Sequence, residues 1–140
     1  MNILKVLTEK RRIGNFGEDE AARLLRRRGY RILERGFVTE DGEIDIIARD
    51  REHIIYVEVK TRRHLAENPS EPRAALAVDR EKQRKIIRAA AFYHAARGGG
   101  LKARFDIVEV YYEETDGKRK TTEINHLEGA FNKNTAYGRR

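Results

Sequence analysis

The sequence predicts a mixed α/β domain, a β-sheet flanked by two helices in the order α-β-β-β-α-β-β. Three observations predict it. Two segments carry apolar residues at helical spacing and stop at glycine. Five others are short runs rich in Ile, Val and Tyr, bounded by polar turns. The length of 140 residues suits one compact domain, with a core over about residues 13–131 and short tails on either side.

The first helix is expected over Phe16–Arg28. Ala22 and Leu25 follow Glu18 at four and seven residues, so Glu18 shares their inward stripe. Gly29 closes that helix. Strands are expected at Arg31–Val38, Glu43–Ala48 and Ile54–Thr61. Their short polar connections, Glu40-Asp-Gly42 and Asp50–His53, make them an antiparallel meander. The segment His64–Arg73 holds both prolines, Pro69 and Pro72, and reads as a mobile surface loop.

The second helix is expected to start at Asp79 as its N-cap and to stop at Gly98-Gly-Gly100. Gln83, Ile86, Ile87, Ala90 and His94 form its inner stripe, with Arg84, Lys85 and Arg88 elsewhere on its surface. Ala103–Tyr112 then reads as a strand, Asp116-Gly117 as a tight turn and Thr121–Leu127 as a last strand.

Composition narrows the function classes. With no Cys, disulfides and thiolate zinc sites are excluded. The apolar stretch at the N-terminus is too short for a signal peptide or a membrane span, so a cytoplasmic protein is expected. The chain carries 30 Lys+Arg against 23 Asp+Glu, a balance that favours polyanions by counterion release. No long basic amphipathic helix with an aromatic face is present, so nucleic acid is the expected partner and membrane is not.

The chemistry concentrates in Gly42-Glu43-Ile44-Asp45-Ile46-Ile47 and Tyr56-Val57-Glu58-Val59-Lys60-Thr61. A two- or four-residue hairpin loop centred on Arg51 and Glu52 sets Asp45 opposite Glu58 and Glu43 opposite Lys60. Period two puts all four side chains on one face. Two carboxylates then stand with β-carbons about 5 Å apart, a like-charge conflict that a divalent cation relieves. Mg²⁺ (or Mn²⁺) suits such hard oxygen ligands, and Glu18 offers a third acid if its helix packs on that face. Lys60, about 6.6 Å further along the strand, is placed to orient an attacking water or steady charge on a phosphate. Gln83, at the first turn of an apolar helix face, is a further candidate for holding a water or a phosphate oxygen.

Each of these residues also has a plainer reading. Lys60 can form a cross-strand salt bridge with Glu43, and Asp45 can bridge an arginine. Glu18 can serve its helix dipole, Gln83 can be structural, and Lys82, Arg84, Lys85 and Arg88 can be a solvated face. Glu58-Val-Lys60 is distinguished from the similar triplet Asp116-Gly-Lys118 by its apolar strand, where charge is expensive. The four histidines lack metal-ligand spacing, and no Walker loop, Rossmann glycine pattern or nucleophile elbow occurs.

Taken together, Gly14-x-x-Gly17-Glu18-x-x-Ala21, Gly42-Glu-Ile-Asp-Ile-Ile47, Val57-Glu-Val-Lys-Thr-Arg62, Lys82 with Arg84, and Arg104-Phe-Asp106 resemble the bacterial YraN-like family of candidate endonucleases. The resemblance runs from about Ile13 to Phe131. That family is similar to archaeal Holliday-junction resolvases within the restriction-endonuclease-like superfamily.

The resemblance implies a PD-(D/E)xK nuclease core. Its metal-binding acid falls on Asp45, its second acid and lysine on Glu58 and Lys60, its helix acid on Glu18 and a helix glutamine on Gln83. Ile44 stands where the superfamily motif has proline. The expectation is therefore a Mg²⁺-dependent (or Mn²⁺-dependent) endonuclease acting on DNA, branched or damaged DNA included. Lys82, Arg84, Lys85, Arg88 and Arg62 are the expected nucleic-acid contacts, and a homodimer is the expected assembly. The alternative is a non-catalytic nucleic-acid-binding adaptor of the same fold.

Overall fold

The structure, a computed structural model, describes residues 2–64 and 72–138. Its elements are α1 (Ile3–Arg27), β1 (Arg31–Val38), β2 (Glu43–Arg49), β3 (His53–Arg63), a 3-10 turn (Ala74–Ala77), α2 (Arg80–Arg97), β4 (Lys102–Thr115), β5 (Lys118–Phe131) and α3 (Lys133–Tyr137). The strands form one sheet in the order β1-β2-β3-β4-β5. β3 and β4 are parallel, joined through α2, and the remaining neighbours are antiparallel. This is the mixed sheet flanked by helices that the sequence predicts, and it is compatible with a restriction-endonuclease-like core.

Each face of the sheet has its own apolar core. On one face α1 covers Ile46, Ala48, Ile55, Val57, Val108 and Val110 with Ala21 and Leu25. On the other, α2 and α3 cover Ile47, Ile54, Tyr56 and Phe105. β3 lies between the two layers, which is why Ile54–Val57 is a continuous apolar run rather than an alternating one.

Local chemistry sets several boundaries where they were expected. Asp79 caps α2 by accepting from the Lys82 N–H at 2.8 Å, and Gly98 ends it. Asp116 and Gly117 both take positive φ, 53° and 75°, the geometry a two-residue hairpin turn needs.

Two expectations are corrected. α1 begins at Ile3, well before Phe16. Its first half shows no inward stripe in the sequence because few of its residues are covered; Ile3 and Leu4 are 70% and 73% exposed. Asn2 starts it by accepting from the Leu4 and Lys5 N–H groups. The outer end of β4 and β5 then supports it, through Phe16 edge-on to Tyr112 and Arg119 paired with Glu9. Those strands accordingly run longer than expected, to Thr115 and from Lys118.

Of the His64–Arg73 loop, residues 65–71 lie outside the described residues. Its two ends are fastened. The His64 N–H donates to the Tyr112 carbonyl at 2.7 Å, and Arg73 donates to Glu109. No described helix is long and apolar enough to cross a membrane.

Candidate active site

Glu58 is the centre of the site. It sits on β3 and is only 4% exposed. Its Oε2 is buried without a hydrogen bond, with the Lys82 ammonium 3.4 Å away. The Asp45 carboxyl lies within hydrogen-bonding reach of it.

The local fold explains that approach. Ile46 pairs with Val57 and Ile47 with Tyr56, the register that sets Asp45 beside Glu58 as expected. Beyond Ile46 the β2–β3 ladder stops. The Val59 N–H donates instead to Asp45 Oδ2 at 2.8 Å, a bond that fixes the side chain against the strand carrying Glu58.

The electrostatics follow from this crowding. Burial, then the nearby Asp45 carboxyl, push the Glu58 pKa well up, and Lys82 and Lys60 oppose them. Glu18, on α1, is raised to about 7, first by burial and next by Asp45, with Arg35 opposing. Arg35 is 3.7 Å from Glu18. Asp45 therefore bears on both glutamates. Among the described residues, however, no three His, Asp or Glu side chains converge as a metal-binding group, so Glu18 stands beside the Asp45–Glu58 pair rather than completing a three-acid cluster.

Gly17 decides where Glu18 stands. A β-carbon at Gly17 would lie 1.8 Å from Thr61 Oγ1, so α1 rests directly on β3 there. Only glycine permits that approach.

Lys60 is close enough for its charge to act on Glu58, but the ladder does not extend to a Glu43–Lys60 pair. Glu43 is exposed and bears on Glu18 instead. Gln83 is engaged structurally. Its amide donates to the Val78 carbonyl at 3.1 Å, and its Oε1 accepts from the Thr135 hydroxyl at 3.5 Å.

The expected nucleic-acid contacts all have partners within the chain. Arg84 donates to the Ala136 carbonyl at 2.7 Å and lies over the Tyr137 ring. Lys85 pairs with Glu81, Arg88 with Asp41, and Arg62 donates to the Pro72 carbonyl. Such surface pairs are weak and exchange readily for a phosphate.

Sequence reasoning misses the placement of one site residue and misses another altogether. Lys82 joins the acids rather than the solvated face. The available signal was a lysine in the first turn of a helix, where the dipole disfavours a cation unless an acid is near. Glu109 is the neighbour of Lys60 on β4 and is fully buried. It accepts from Arg73 at 2.7 Å, the Ala75 N–H at 2.8 Å and Asn125 at 3.1 Å. It thereby anchors the segment that leads into α2 and Lys82.

The sequence profile described as "Uncharacterised protein family UPF0102" matches residues 17–110, from the glycine under α1 through the whole acid pair. The chain belongs to this family. A UPF0102 protein of Syntrophotalea carbinolica is 43% identical over 121 residues, covering 85% of this chain and 90% of the relative. One from Desulfosudis oleivorans is 40% identical over 132 residues, covering 94% and 98%. One from Syntrophus aciditrophicus is 40% identical over 134 residues, covering 95% and 97%. UPF0102 is the YraN-like family that the motifs pointed to, and the likeness extends over nearly the full length of these relatives.

Proposed function

We propose that this UPF0102 protein is a metal-dependent endonuclease that hydrolyses phosphodiester bonds in DNA, including branched or damaged DNA. The observation that carries the reading is the buried Glu58 carboxyl, which has one oxygen without a hydrogen bond and the Asp45 carboxyl beside it. Two hard oxygen donors in repulsive contact fit a divalent cation. Asp45 and Glu58 would hold Mg²⁺ (or Mn²⁺), which would supply charge neutralisation at a phosphate and acidify a bound water.

The remaining work falls to the chain. The Val59 N–H keeps Asp45 oriented. Lys82 favours the ionised form of Glu58. Lys60 contributes a positive charge on the same strand, suited to orienting a water or steadying a phosphate oxygen. Glu18, which titrates near neutrality, can hold or release a proton beside Asp45. DNA is drawn in by the chain's net charge of +7. A homodimer, one subunit for each strand, is the assembly that paired cutting calls for.

A second reading, a nucleic-acid-binding adaptor, is favoured by the lack of a third converging acid among the described residues. Cleavage separates the two. Labelled four-way, flapped, single-stranded and linear DNA would be incubated with Mg²⁺, Mn²⁺ or EDTA, alongside folded Asp45→Asn and Lys60→Ala variants. Metal-dependent cutting lost in both variants supports the nuclease. Binding without cutting, unchanged in both, leaves the adaptor.

A further inference from the structure

At the end of the sheet away from the acids lies a second charged feature. A cleft of about 470 Å³ is lined by Gly29, Arg31, Arg49, Asp50 and Arg51. Arg31 and Arg49 are direct partners across the antiparallel β1–β2 ladder, so their β-carbons stand about 5 Å apart. Like charges in that position oppose folding. Among the described residues no carboxylate lies within salt-bridge range of Arg31, Arg49 or Arg51; other arginines, such as Arg26 and Arg97, share that state, but these three line one cleft.

The groups that could explain the arginines structurally are already engaged. Asp50, the one acid in the cleft, accepts from the Glu52 and His53 N–H groups at 2.8 and 2.7 Å and so closes its own turn. Arg49 gives only its Nε–H to the Asp50 carbonyl, at 3.2 Å. The neighbouring C-terminus of α1 does not need cations either. The carbonyls of Leu24, Leu25 and Arg26 accept from the N–H groups of Arg28, Tyr30 and Gly29. Three arginines thus line one cleft against a single carboxylate, which leaves the cleft net positive.

We propose that this cleft binds a phosphate group of a nucleic-acid backbone, as a contact separate from the acid pair. Guanidinium forks match phosphate oxygens in geometry, and an anion between Arg31 and Arg49 converts their repulsion into attraction. Arg49 lies four residues along β2 from Asp45, about 13 Å, a distance that a bound nucleic-acid chain spans easily. The proposal stands apart from the nuclease reading, because binding rather than cleavage tests it. A free phosphate anion shares the chemistry and is separated by the experiment.

The test measures binding of a labelled single-stranded oligonucleotide across a salt series in EDTA, together with calorimetry of pyrophosphate binding. The triple variant Arg31→Gln/Arg49→Gln/Arg51→Gln is compared with Lys5→Gln/Lys10→Gln/Arg11→Gln, which removes equal charge from the exposed start of α1. Loss of this one phosphate contact should weaken oligonucleotide binding about tenfold at 0.1 M salt and lower the salt slope by about 0.7. The control should change binding far less. The cleft variant should also melt no lower than wild type, since it relieves like-charge repulsion. Equal losses in the two triples, or a marked drop in melting temperature for the cleft variant alone, would overturn the proposal. Pyrophosphate binding lost in the cleft variant, with oligonucleotide binding intact, would reassign the cleft to a free phosphate anion and overturn the nucleic-acid contact.

Discussion

Gly17 and Thr61 touch so closely that no side chain fits between them: a β-carbon on Gly17 would meet Thr61 Oγ1 at 1.8 Å and Thr61 Cβ at 2.9 Å. This contact sets the height of α1 above β3, and the next residue in the helix is Glu18. Helix propensity and packing therefore oppose each other at this position. Alanine is favoured over glycine in a helix interior by about 1 kcal/mol, but overpacking typically costs about 1–3 kcal/mol. Packing should win. Gly17→Ala is expected to lower stability, and Thr61→Ala in the same chain to restore part of it by removing Oγ1. Chemical denaturation of the two single variants and the double variant checks this. A Gly17→Ala protein more stable than wild type would show that α1 does not rest on Thr61.

Glu58 should make the metal-free protein less stable as pH rises. Its folded pKa lies above the ordinary value of 4.5, chiefly through burial and then Asp45. The folded state therefore holds its proton more tightly than the unfolded state does. That contribution is fully present below the ordinary value and is lost as pH climbs towards the raised one. Glu58→Gln, kept in EDTA, should be more stable than wild type at neutral pH by roughly 1–3 kcal/mol, because it removes a buried charge conflict. Equal melting temperatures for variant and wild type from pH 5 to pH 8 would refute this.

Lys82 holds Glu58 partly towards its ionised form across 3.4 Å. Lys82→Met should move the Glu58 titration further up, followed by NMR of the carboxyl carbon. Arg84→Met, at a residue committed to the Ala136 carbonyl, should leave that titration unchanged. If both variants shift it alike, long-range charge rather than the Lys82 contact governs the site.

Asp106 should dominate the acid limb of stability. It is fully buried. It accepts from His126 Nε2 at 2.7 Å, from Arg104 Nε and Nη2 at 2.9 and 2.7 Å, and from the Gly129 N–H at 2.9 Å. Burial raises its pKa, but these donors together outweigh it and hold the carboxyl below the usual range. The stability it contributes is present above the ordinary value near 3.8 and is lost as pH falls through the lower folded value. Asp106→Asn would leave the half-buried Arg104 with only Glu128, 4.0 Å away, as counter-charge and should cost about 1–3 kcal/mol at neutral pH. Urea titrations at pH 7 and near pH 3 test both statements, and the gap between variant and wild type should narrow at the lower pH.

What could be read from the residues alone was whatever local chemistry dictates. The Asp79 cap, the glycine stop of α2, the Asp116-Gly117 turn and the run Ile54–Val57 each carry their signal within a few neighbouring positions. So does the hairpin register that brings Asp45 to Glu58, because the connection between β2 and β3 is short and the side-chain period is two. The tertiary structure alone decided which distant groups answer those acids. Glu58 meets Lys82 across the α2 packing, Lys60 does not pair with Glu43 along the hairpin, Gln83 is drawn to Thr135 of α3, and the early part of α1 is held where Arg119 reaches Glu9 from the far end of β5. A hairpin partner is set by counting residues, whereas a partner on another layer depends on how helices settle on a sheet. In this chain that settling is governed by single contacts such as Gly17 on Thr61, which leave no periodic trace in the sequence.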